Sequence, residues 1–116
     1  MDAVEVRNEY GTIRISDQVI AALARSICLA ISGIRAMDDS FSHGLSSVIA
    51  GDEAEGVRVN IKNNAAYLDV FVVVQYGIRV PSLALEVQEK IREGILASTG
   101  AVVQGVNINV QNIDFQ

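Results

Sequence analysis

The 116-residue sequence holds one cysteine, one histidine, one proline and no tryptophan. With Cys28 alone, an internal disulfide and a cysteine-based zinc site are excluded, and with His43 alone so is a multi-histidine metal site. Six aromatic residues leave little material for a base-stacking platform. No apolar run reaches the about 20 residues that a membrane span requires. Basic residues are outnumbered, nine against fourteen acids, and the net charge of −5 argues against nucleic-acid binding that rests on phosphate neutralisation. The opening Met-Asp-Ala-Val-Glu-Val is acidic and alternating, unlike a signal peptide, so the expected address is the cytosol.

What is present is globular: half the residues are apolar and a fifth are charged. The length suits one domain over residues 1–116. Alternation in 4–15 predicts a strand at 12–15, preceded by a weaker edge strand. Ser16 is placed to cap a helix over 17–31, whose Val19, Ile20, Leu23, Ala24, Ile27 and Ile31 form one apolar stripe. Gly33 is its expected stop. Residues 35–56 are the least regular part and read as a long loop. Val57, Val59 and Ile61 alternate with Arg58, Asn60 and Lys62, and Asn63-Asn64 makes a hairpin turn. The return strand, Ala66 to Tyr76, carries the strongest strand signal. Leu68, Val70, Val72 and Val74 point one way; Tyr67, Asp69, Phe71, Val73 and Gln75 point the other. Pro81 then opens a second amphipathic helix that Gly100 ends, and a final strand covers about 102–112.

None of the reactive side chains forms a convincing site. Cys28 lies beside an apolar stripe and reads as a small buried hydrophobe. His43, with Asp39, Ser40 and Ser42 nearby, reads as a solvated loop histidine, because triads assemble from distant segments. Glu86, Glu89 and Glu93 read as the charged face of a helix. Gly94 and Gly105 are isolated and mark packing positions or bulges rather than a phosphate loop.

The expected fold is α+β: a two-layer β-α-β-β-α-β sandwich, with a four-stranded sheet and two helices on one face. The chain resembles the alkaline shock protein family of bacterial general-stress or envelope stress response proteins. The likeness rests on Gly11-Thr-Ile-Arg-Ile-Ser16 leading into Val19-Ile20, Gly33-Ile34, and Gly56-Val57-Arg-Val59. It continues through Tyr76-Gly77 with Pro81, Glu86-Val-Gln88, Thr99-Gly100 and Val106-Asn-Ile-Asn-Val110, and so covers about residues 9–112. The resemblance implies a small cytosolic protein tied to envelope stress. It implies self-association, and docking at the inner face of the membrane through a membrane-anchored protein partner. It supplies no catalytic residues, and no cofactor or metal is expected.

On the residues themselves, the expected function is that of a non-catalytic interaction or scaffold protein. If the helices cover the Leu68 face, Phe71 and Val73 lie on the other, flanked by Arg14, Arg58, Lys62, Tyr67 and Asp69. An apolar centre with a charged rim suits a homo-oligomer contact. Loop 35–56 of the same chain is the competing cover. The alternative function is single-stranded nucleic-acid binding through Tyr67 and Phe71 beside Arg58 and Lys62, as on an RRM sheet, although the signature strip of that module is missing. Direct membrane insertion is not expected, since neither helix has a basic polar face.

Overall fold

The computed structural model describes residues 2–38 and 56–116. Loop residues Asp39, Ser40, Ser42 and His43 lie outside the described residues, and so does most of the competing cover. The chain runs through β1 (Ala3–Asn8), β2 (Gly11–Ser16), α1 (Asp17–Leu29), β3 (Ile34–Met37), β4 (Val57–Lys62), β5 (Ala65–Gln75), α2 (Val80–Thr99) and β6 (Val103–Asp114). Among the described residues the fold is α+β, with two helices on one face of a four-stranded sheet, as the sequence pattern predicts.

β5 is the strand around which everything is arranged. It pairs in parallel with β6 from Ala66 to Gln75, which fills one of its edges. β4 pairs antiparallel with Ala65 to Val70, and β3 antiparallel with Val72 to Val74, so these two follow one another along the other edge. Phe71 sits at their junction: its N–H donates to the Gly56 carbonyl and its carbonyl accepts from the Asp38 N–H, both at 2.8 Å. Val72 and Val74 turn towards the helices and are buried, while Val73 between them turns to the opposite face.

The fourth strand is not the one the sequence pattern offers. Residues 11–16 form a strand, but it pairs with β1 in a separate two-stranded sheet. The four-stranded sheet is completed by β3, at the start of the stretch read as loop. Four residues with no alternation carry no strand signal, and β3 exists because β5 offers an edge. The small sheet is held to the large one through the β4–β5 turn. Asn63 and Asn64 have φ of 51° and 60°, the left-handed pair that a two-residue hairpin needs. The Asn64 carboxamide then bonds both ways to the main chain of Glu5 in β1.

The helices begin and end for local reasons. Ser16 Oγ accepts from the Val19 N–H at 3.2 Å, and Asp17 stands at the positive end of the α1 dipole. Pro81 lies in the first turn of α2, and Gly100 closes it at φ 80° with its N–H on the Leu96 carbonyl. The predicted stop at Gly33 is corrected: α1 ends at Leu29 and is capped by Ala30. Gly33 instead packs under Leu83, and its carbonyl accepts from the Gln75 N–H.

The core lies between the helices and the even-numbered face of β5. Ala66, Leu68, Val70, Val72 and Val74 are buried there against Ile20, Ala24 and Cys28 of α1 and Leu83, Val87, Ile91 and Ile95 of α2. α1 packs over β3 and β4, and α2 over β6. The two helices meet at Gly94, where an added Cβ would stand 2.7 Å from Ile27 Cδ1, so Gly94 is a packing position. Val19 and Leu96 fit the helical stripes by spacing but remain half exposed.

Candidate functional site

Strand periodicity places the candidate residues. In β5 the odd positions Tyr67, Asp69, Phe71 and Val73 turn away from both helices. Arg58 lies opposite Asp69 across the β4–β5 ladder. Its guanidinium carbon sits 5.7 Å from the centre of the Phe71 ring, within cation–π range. Lys62 shares the outward phase of Arg58 but stands at the far end of β4, beside the hairpin turn. Arg58, Tyr67, Asp69, Phe71 and Val73 are thus gathered on one face. Arg14 is not among them: it projects from β2 in the separate sheet, where its Nε donates to Glu5 at 3.1 Å.

The third strand of this face is β6, whose contribution the sequence reading does not include. Asn107 lies opposite Asp69, and its Nδ2 donates to the Asp69 carboxylate at 3.0 Å. Asn109 lies opposite Phe71, and its Nδ2 donates to the Val70 carbonyl at 3.3 Å. Gly105 lies opposite Tyr67, and the position its Cβ would take is 3.5 Å from the ring. The alternation of Val106, Ile108 and Val110 with Asn107 and Asn109 is readable in the sequence, but which strand they border is not. At the far end, Arg35 of β3 reaches across to Asp114 of β6 at 3.5 Å, and Tyr76 packs on Phe115 with ring centres 5.0 Å apart.

Electrostatically the face is mixed rather than basic. Asp69 stands between Tyr67 and Phe71, and the asparagines of β6 are neutral. The reactive groups elsewhere read as structural. The Cys28 thiol is fully buried, and loss of solvation pushes its pKa up from 9.0 to about 11. Glu86 pairs with Lys90 at 3.0 Å on the wet side of α2, one helical turn apart. No His, Cys, Asp and Glu side chains among the described residues are grouped as metal ligands would be. An apolar cleft between α2 and the sheet is lined by Val80, Leu83, Val87, Ile108 and Val110, with no titratable group.

Among the described residues, helices on one side of the sheet and side chains of mixed charge on the other define an α+β domain. The profile of the alkaline shock protein family, described as having a cell envelope-related function, matches residues 5–115, and the chain belongs to that family. Among its relatives, YloU of Bacillus subtilis (strain 168) is 30% identical over 114 residues, which is 96% of this chain and 95% of that protein. YqhY of the same organism is 28% identical over 90% of this chain and 78% of its own length. Spy1614 of Streptococcus pyogenes serotype M6 is 26% identical over 95% and 93%. Two solved MamM-CTD variants share the fold. They superpose with TM-scores of 0.52 and 0.50 at 9% identity, and cover 85% and 86% of this chain and 100% and 97% of theirs. No helix among the described residues is long and apolar enough to cross a membrane.

Proposed function

We propose that this protein is a non-catalytic scaffold that associates with copies of itself through the sheet face away from the helices. The observation that carries the reading is that, among the described residues, the helices lie on one side of the sheet. Both helices pack on the Leu68 face, and Arg58, Tyr67, Asp69, Phe71 and Val73 are assembled on the opposite one. An aromatic and aliphatic centre with charge of both signs around it, Lys62 at one end, is suited to a homotypic contact, because Asp69 of one copy can meet a cation of the other. The envelope-related description of the family supports a second element of the proposal. A membrane-anchored protein partner docks on the assembled scaffold and holds it at the inner face of the membrane.

The nucleic-acid alternative would use the same Tyr67 and Phe71. Asp69 between them and a net charge of −5 favour the protein–protein reading. The test is capture of an untagged chain by a tagged copy of the purified protein. Capture is expected with the wild type and is expected to be weakened with Val73→Asp in both copies. Absence of capture in the wild type at high concentration would overturn the reading.

A further inference from the structure

Among the described residues, one backbone edge of the large sheet is open at β6. Among the described residues β6 pairs only with β5, leaving one side of a twelve-residue strand without a neighbouring strand. Natural edges of this length are usually blunted by lysine, proline or a covering element. Here residues 103–113 contain no charged residue and no proline. The register shifts against β5 fall near the two ends of the strand, which leaves Gly105 to Val110 as one regular stretch.

The sequence of that stretch is symmetric. Val106-Asn107-Ile108-Asn109-Val110 reads the same in both directions about Ile108. Antiparallel pairing about a two-fold axis joins position 108 to itself, 107 to 109 and 106 to 110. A palindromic strand therefore meets its own copy like on like, with valine against valine and asparagine against asparagine. The backbone phase agrees with this register. The Val106 carbonyl is turned away from β5, since it accepts from Gln88 Nε2 at 2.9 Å. By the period of two, Ile108 and Val110 present their backbone outward as well. Those are the positions that exchange hydrogen bonds across the proposed axis. The Val106 carbonyl can keep Gln88, because a carbonyl oxygen has two lone pairs.

We infer that β6 is a homodimer edge: two copies pair antiparallel about Ile108 to form a single sheet running through both. The occupant is a second copy because the palindrome matches its own copy position by position, and the neutral strand lets two chains of net charge −5 approach there without opposed carboxylates. On the helix side, Val110 is 37% exposed and would be covered by Val106 of the copy. On the other side, Asn107 and Asn109 would bond across the axis and bring the two Tyr67–Val73 faces into one continuous surface. The inference rests on the reading that copies of this chain associate, and it adds a second, distinct contact, so that edge and face together build an extended array.

The experiment is cysteine cross-linking of the full chain, alongside its solution mass. Ile108→Cys is expected to give a covalent dimer under mild oxidation. Val106→Cys should not, because its own copy lies four residues along the strand, about 13 Å away. The buried native Cys28 adds no background. Val110→Lys should weaken dimerisation by about tenfold or more while leaving the melting transition intact. If the wild type associates but Ile108→Cys fails to cross-link and Val110→Lys keeps the wild-type mass, the edge inference falls and the face reading stands. Cross-linking at both cysteine positions alike would overturn the register. A wild type that stays monomeric at every concentration would remove both.

Discussion

Asn64 holds the main chain of Glu5 as a neighbouring strand would. Its Oδ1 accepts from the Glu5 N–H at 2.7 Å, and its Nδ2 donates to the Glu5 carbonyl at 2.8 Å. One side chain at the tip of the β4–β5 hairpin thus fastens the small sheet to the large one. The same residue occupies the left-handed region at φ 60°. The two roles separate by substitution. Asn64→Gly keeps the turn and loses the clamp, and should cost about 1 kcal/mol in denaturant unfolding. Asn64→Ala loses both, and should cost about 2 kcal/mol. Equal stability of Asn64→Gly and the wild type would show that the clamp contributes nothing.

Gly56 enters β4 at φ 76°, and a Cβ there would lie 2.6 Å from the Met37 Cβ. The opposing atom is held by the backbone of β3 and cannot swing away. Gly56→Ala combines left-handed strain with this clash and should destabilise by about 2 kcal/mol or more, read from thermal or denaturant unfolding. A change within about 0.5 kcal/mol would mean that β3 yields freely.

Cys28 gives a pH signature. Burial raises its pKa in the fold to about 11, above the ordinary 9.0. A raised folded pKa means that the contribution to stability is complete below about pH 9 and is lost as pH climbs towards about 11, because the unfolded chain ionises first. Between those values, wild type should lose stability faster than Cys28→Val. Parallel pH curves would contradict the buried placement. In the native state at neutral pH, the thiol should also react with alkylating reagents only as fast as the protein opens.

The sequence discloses most where local rules suffice. Alternation in Val57–Ile61 and the Asn63-Asn64 pair specify the hairpin without reference to the rest of the chain. Pro81 and Gly100 bracket α2, and Ser16 starts α1. What escapes are the relations between elements. Residues 11–16 announce a strand but not its partner, so their place in a separate sheet is not readable. Ile34–Met37 have no pattern of their own and become β3 through the edge of β5. The candidate face is legible for Tyr67, Asp69, Phe71 and Val73, because a strand's period of two fixes their common side. It is not legible for Arg14, whose charge pairs with Glu5 on the hairpin, nor for Asn107 and Asn109, whose role depends on β6 lying beside β5.

The central claim is self-association through the face that the helices leave. Sedimentation of the wild type and Phe71→Asp across a concentration series tests it most directly, with a thermal melt of each to show that both are folded. The account predicts a wild-type mass above that of one chain which rises with concentration, and a folded Phe71→Asp of lower mass at the same concentrations. A wild type at the mass of a single chain throughout, or a folded Phe71→Asp with the wild-type mass, would contradict it.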